Sequence, residues 1–365
     1  GVKTNRDAWC YNGSKTAVEE NMTRMIAFYN TEVSRFEAAY KALGNKERDG
    51  KIDRFINTDP SKISWDHAQK VGVARGRVGA YTSSAVFPSA YRPFVKQWLY
   101  YDGFFNNRVY QMPRIFPDST ARNMVIQVNA NYSGLGQITL ISDVIPDIHC
   151  DGDSQCFPLY LYDEPESLDN DEPQSGLFDK AAAKSTTRMR RDAITDAGLA
   201  HFQSAYPGES LSKEDLFYYI YGLLHSPDYR ERYADNLAKE LPRIPRVKTA
   251  ADFWSFSRAG RALADLHLNY ETVPMYAAAK IDTGGKKLGD ADYRVEKMKV
   301  PKNGKDKDLT RLIYNAKISV TGIPPEAYEY VVNGKPALDW VIERQCVKTD
   351  KVSGIINDAN DWAIE

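Results

Sequence analysis

At 365 residues and 42% hydrophobic content, the chain can bury one large core or two ordinary ones, and wholesale disorder is excluded. The formal net charge of −1 gives no bulk attraction to nucleic acid, so any polyanion must be held by cations gathered locally. Four cysteines make no disulfide framework and suit a reducing cytosol, and the longest apolar runs fall well short of a membrane span.

Residues 1–12 are polar and rich in turn formers. Ser14 then offers a helix cap, and Val18, Met22, Met25, Tyr29, Val33, Phe36, Tyr40 and Leu43 recur at spacings of three or four. That period predicts a long helix ending near Gly44, with a narrow apolar stripe close to a coiled-coil seam. Two readings stay open for it, a spacer over residues 1–50 or a plain core helix. Asp59-Pro60 starts a new element, residues 65–73 form a short amphipathic helix, and Lys70, Arg75 and Arg77 flank a basic loop.

The densest chemical signal lies in residues 91–117. Aromatic faces alternate with the cations Arg92, Lys96, Arg108 and Arg114 and with the amides of Gln97, Asn106, Asn107 and Gln111. Those groups can grip phosphate and read base edges. Pro93, Pro113 and Pro117 break the run into strands and loops; the plain alternative is an aromatic sheet packed on a core. Residues 124–128 and 138–141 read as strands. Between them, residues 129–137 make either a simple hairpin loop or one whose amides, Asn131 and Gln137 among them, reach bases.

Charge then segregates. Carboxylates recur from Asp143 to Glu172 with no Lys or Arg, and cations dominate from Lys180 to Arg191. Residues 163–175, acidic and rich in Pro and Ser, read as a linker separating a β-rich half (51–175) from an α+β half (176–365). The second half opens with a helix over 195–202. Ser212 and Asp215 form a capping-box start for a helix through Leu224, and Ser226-Pro227 starts another over 229–241. The last pair has the outline of a helix-turn-helix, but its mixed charges point to a scaffold role. Thr249 caps a further helix with Phe253, Trp254, Phe256, Leu263 and Leu266 turned inward. Beyond Tyr270, residues 293–300 and 309–320 are expected to pair as a basic ribbon around Asn303-Gly304, carrying Lys297, Lys299, Lys302, Lys305, Lys307 and Arg311. Such a ribbon either enters a major groove or is an exposed charged hairpin. Residues 340–344 read as helix and 357–362 as a turn-rich tail.

Several stretches, in order, carry a family resemblance. They are Gly1-Val2-Lys3-Thr4-Asn5-Arg6-Asp7-Ala8-Trp9, Tyr91-Arg92-Pro93-Phe94, Pro113-Arg114-Ile115-Phe116-Pro117, Asp143-Val144-Ile145-Pro146-Asp147, Tyr221-Gly222-Leu223-Leu224-His225-Ser226-Pro227 and Lys351-Val352-Ser353-Gly354-Ile355-Ile356-Asn357-Asp358. Together they resemble the C-terminal specificity region of Type ISP restriction–modification enzymes, single chains with nuclease, helicase-like ATPase, adenine methyltransferase and target-recognition parts. The resemblance implies that the chain leaves a methyltransferase part near residue 1 and binds double-stranded DNA as a monomer. It also implies that S-adenosylmethionine, ATP and Mg belong to the larger enzyme, with no cofactor in this chain.

No adenine-flipping Asn-Pro-Pro-Tyr, dinucleotide-type Gly-rich loop, Walker loop, Gly-x-Ser-x-Gly or His-Glu-x-x-His is present, and His149, Cys150 and Cys156 match no zinc spacing. The expectation is therefore a mixed α/β (α+β) recognition module without catalysis: a long N-terminal spacer helix, a β-rich half and a helical half ending in a β-ribbon. Arg92, Lys96, Arg114, Arg188 and Arg190 are the phosphate candidates. Asn106, Asn107, Arg108, Gln111, Asn131 and Gln137 are the base-edge candidates. The alternative is a docking module that couples methyltransferase and motor without reading bases.

Overall fold

Ser14 does cap the first long helix: its Oγ accepts from the Ala17 amide, and α1 runs Lys15–Tyr40 after β1, Tyr11–Asn12. The computed structural model describes residues 1–129, 137–163 and 188–362. Val18, Met22, Met25, Tyr29, Val33 and Phe36 are buried, as their spacing requires. They pack in one core with α2 (His67–Ala74), β2 (Val86–Arg92) and β3 (Val95–Tyr100), alongside Trp9, Tyr100 and Phe105. Helix and β-rich half thus share a single interior. Next comes a short helix, α3 (Met112–Ile115), then β4 (Val125–Val128), β5 (Thr139–Ser142), β6 (Ile145–Pro146) and β7 (Gln155–Pro158). One sheet has the order β1-β3-β2-β6, antiparallel except for the parallel β2–β6 pair; another has the antiparallel order β5-β4-β7.

Strand β4 is buried along its whole length because it is a shared wall. Val125 faces the first core, whereas Ile126 and Val128 face a second one built with helices. The interiors therefore meet at β4. A ribbon of β8 (Tyr160–Asp163) and β9 (Met189–Asp192) leads into those helices: α4 (Asp196–Gln203), α5 (Lys213–Leu224), α6 (Pro227–Arg232), α7 (Ala234–Leu237) and α8 (Ala250–Leu268). Ser226 and Thr249 cap as expected, Thr195 caps the first of these helices, and Ser212 with Asp215 forms a full capping box. The helix expected over 229–241 is two pieces, because Tyr233 leaves helical geometry (φ −111°, ψ 19°). Leu266, expected to face inward, is 54% exposed. The buried stripe of α8 runs instead through Phe253, Ser257, Gly260 and Ala264, and a 3.6-residue period turns position 266 outward.

The C-terminal part departs most from expectation. There is no long ribbon pairing 293–300 with 309–320. Lys299 bridges Ile313, and a small hairpin of β11 (Lys302–Asn303) and β12 (Asp306–Lys307) turns at Gly304 with φ +65°. The return strand breaks where Asn315 Oδ1 accepts from the amides of Lys317 and Ile318. Its two parts, β13 (Arg311–Ile313) and β14 (Ser319–Thr321), form a sheet with β10 (Lys280–Asp282) in the order β10-β14-β13. Helix α9 (Ala337–Arg344) completes a small core with Val295, Met298 and Leu312. The tail returns to the first sheet: Asn357 Oδ1 accepts from Gly13 N at 2.9 Å, and Asn12 Nδ2 donates to Ile356 O at 2.9 Å. Among the described residues, no helix is long and apolar enough to cross a membrane.

Candidate nucleic-acid interface

The residues proposed from sequence divide into two sets. The first is engaged by the fold. Arg92 has a side chain 13% exposed; its Nη1 donates to Asp147 Oδ1 at 2.8 Å and to Tyr91 O, and its Nη2 lies 3.4 Å from Asp7 Oδ2. Lys96 Nζ reaches Leu268 O at 3.4 Å and Glu271 Oε2 at 3.3 Å. Asn106 is buried, donating to Tyr100 O and accepting from the Asp102 amide, so it closes the loop after β3. Asn107 Nδ2 donates to Asp66 Oδ2 at 2.5 Å. Gln137 Nε2 donates to Thr139 Oγ1 at 3.1 Å. Asn131 lies outside the described residues. In each described case the polar side chain meets a fixed partner inside the fold.

The second set centres on α3 and the β8–β9 ribbon with Arg114, Arg188 and Arg190; Gln111 stands at the start of α3, and Arg108 precedes it, bridged through its backbone to Lys3. The register sets Tyr162 opposite Arg190 and Leu161 opposite Arg191. Arg190 therefore lies diagonally over the Tyr160 ring, 4.2 Å from its centroid, which orients the guanidinium without neutralising it. Arg188 Nη1 donates to Pro113 O at 2.9 Å and pins the start of β9 to α3. Asp163 accepts from Arg191 Nε at 2.6 Å and from Arg114 Nη2 at 3.0 Å. Those two arginines hold its carboxyl below the usual carboxylate range. Among the described residues, one carboxylate between two half-exposed guanidiniums leaves this trio net positive. Tyr162 donates to Arg122 O at 2.8 Å, which brings exposed Arg122 to the same ribbon.

Sequence reasoning missed Arg122 altogether and counted Arg191 only as part of a basic run. The signal was present in part: strand alternation around Tyr160 and Tyr162 would have placed Arg190 and Arg191 on opposite faces. Gln111 and Arg114 also border an apolar cleft of about 550 Å³, floored by Ile126, Val128, Leu161 and Phe217. Beside it stand Phe157, 43% exposed, and Leu241, 38% exposed.

Among the described residues of the acidic run, Asp147 and Asp151 are buried, whereas Asp143 and Asp153 are exposed. Burial pushes Asp147 up to about 6, with Asp7 adding to the rise. Asp151 is fully buried, neither of its oxygens meets hydrogen-bond geometry, and burial pushes it up to about 7. A carboxyl raised in the folded state costs stability as pH climbs from its ordinary value through 7. Asp151→Asn is therefore expected to stabilise the chain by roughly 2 kcal/mol at pH 8, with the gain fading below pH 5, as read by urea denaturation at both pH values. An equal effect at both would contradict the assignment. Among the described residues, no group of three or more His, Cys, Asp or Glu side chains is placed to hold a metal ion.

The family model for the Type ISP C-terminal specificity domain matches residues 1–365. Comparison with curated proteins finds no match. Among solved structures, a nuclease-deletion mutant of the Type ISP restriction–modification enzyme LlaGI, in complex with a DNA substrate mimic, is 36% identical with a TM-score of 0.80, covering 100% of this chain and 30% of that one. The ATP-dependent Type ISP enzyme LlaBIII bound to DNA is 35% identical with a TM-score of 0.80, over 99% of this chain and 21% of that one. A DrdV–DNA complex is 28% identical with a TM-score of 0.77, over 97% of this chain and 31% of that one. The chain thus spans less than a third of the length of each of these structures.

Proposed function

We propose a DNA-reading role for this chain, which belongs to the family of Type ISP C-terminal specificity domains. It grips duplex DNA, reads a short site, and presents the target adenine to a methyltransferase outside this chain. The chain itself makes and breaks no bonds. The observation that carries the reading is the arginine-rich β8–β9 ribbon docked on α3 beside Gln111. That the three solved relatives are DNA complexes supports it.

In this reading Arg114, Arg188 and Arg190 hold phosphates, joined by Arg122 and Arg191. Exposed Gln111, beside Arg114, and exposed Arg108, just before it in the chain, read bases. Arg92, Lys96, Asn106 and Asn107 position the scaffold through the fixed partners described above.

The test is fluorescence anisotropy of the chain on a labelled duplex with a randomised centre, followed by sequencing of the bound fraction. Arg190→Ala is expected to weaken binding to all sequences and to lower the salt slope by about 1. Arg108→Ala with Gln111→Ala should relax the selected motif, by about 1–3 kcal/mol of discrimination per lost bidentate contact. Absence of salt-sensitive binding would transfer the weight to a docking role that couples methyltransferase and motor without reading bases.

A further inference from the structure

Among the described residues, Asn5, Phe94, Tyr110, Asp153 and Asn333 take positive φ without being glycine. Asn and Asp visit this region readily; a bulky aromatic side chain does so only under strain. Phe94 and Tyr110 are therefore the two that need a reason. Phe94 has one inside the molecule. Its ring meets His267, Tyr270 and Tyr330 at centroid distances of 5.5, 5.4 and 6.1 Å, so packing offsets the strain.

Tyr110 has no such return. Its φ is 47° and its side chain is 56% exposed. Among the described residues, no hydrogen bond or ring contact engages it. The strained backbone is nevertheless held firmly from both sides. The Arg108 amide and carbonyl pair with Lys3 at 2.9 Å, the Met112 amide donates to Val109 O at 3.1 Å, and Met112 and Ile115 are buried. A large ring is thus projected into solvent by rigid supports, between exposed Arg108 and exposed Gln111. Strain retained without internal compensation is a mark of functional positions.

We infer that Tyr110 is a direct DNA contact: its ring is the apolar member of the site, pressed against the bases that Arg108 and Gln111 address. The inference rests on the DNA-reading role proposed above. It makes an unusual joint prediction, because here the loss of function and the gain of stability share one residue. Glycine at position 110 relieves the strain, while alanine removes the ring and keeps the strain.

In the anisotropy assay on the randomised duplex, Tyr110→Ala and Tyr110→Gly are each expected to weaken binding about tenfold, whereas Tyr110→Phe stays within about twofold of the parent. In thermal denaturation, Tyr110→Gly should melt at the same temperature as the parent or higher. Undiminished binding by both ring-less variants overturns the inference while leaving DNA binding intact. A lowered melting temperature for Tyr110→Gly overturns it as well, since the ring would then be serving the fold. A parent chain that leaves the duplex unbound overturns the inference and the proposed role together.

Discussion

Alanine at Gly260 is expected to lower the free energy of unfolding by about 3 kcal/mol or more, read as a fall in the urea midpoint at unchanged slope. Helices α5 and α8 cross at Gly222 and Gly260, almost backbone to backbone. A Cβ on Gly260 would stand 2.0 Å from Tyr218 O, and one on Gly222 would stand 2.3 Å from Phe256 O. Both obstacles are main-chain atoms, so no flexible side chain can swing aside and the helices must part. The gain in helix propensity, about 1 kcal/mol for Gly to Ala, is too small to offset this. Parting them disturbs the stacked Tyr219 and Phe253 rings, 4.7 Å apart between centroids, and shifts Phe217 and Leu224 on the wall of the apolar cleft. The double variant with Gly222→Ala should cost less than the two single losses added, because one displacement accommodates both methyl groups. Ser255→Ala, on the exposed side of α8, is the control and should stay within about 0.5 kcal/mol of the parent. Full stability in Gly260→Ala would mean the crossing is looser than the geometry states.

What could be read from the sequence is what short-range chemistry decides. Ser14, Thr195, Ser212, Ser226 and Thr249 announce helix starts because a cap acts on amides two or three residues away. The α1 stripe was visible because it repeats along one helix. Inward and outward faces were harder. Leu266 looked like core on hydrophobicity, yet the buried face of α8 is set by Gly260 and Ala264, small residues whose role appears only with α5 in place. The interface was harder still, since whether an arginine is free depends on residues far along the chain. Arg92 meets Asp147 across a separation of 55 residues and Asp7 across 85. Arg190 finds Tyr160 only once the β8–β9 register is known. Tyr110 gave no compositional sign among so many tyrosines; its backbone angle singles it out. Composition thus singled out a cation-rich segment, and long-range pairing decided which of its cations face outward.

Arg92→Ala separates those two kinds of arginine most sharply. A phosphate contact would lose DNA affinity and keep stability; here the opposite is expected, a loss of about 3 kcal/mol or more in unfolding free energy at pH 8. The guanidinium bonds Asp147, whose side chain is 1% exposed, and removing it strands that carboxylate in the interior beside Asp7. The pH dependence follows from sign. Burial already raises Asp147 to about 6 with Arg92 present, and Arg92 is the leading influence opposing the rise, ahead of His149. Without it the carboxyl rises further. A group raised in the folded state contributes fully at low pH and loses its contribution as pH climbs through its folded value. The cost of Arg92→Ala should therefore grow from pH 5 to pH 8, because at pH 5 a proton can take over the neutralising role of Arg92. Urea denaturation at the two pH values measures this directly, and the salt slope of DNA binding by the folded variant measures the alternative. A variant as stable as the parent at pH 8, with its slope reduced by about 1, would return Arg92 to the DNA surface and remove it from the scaffold.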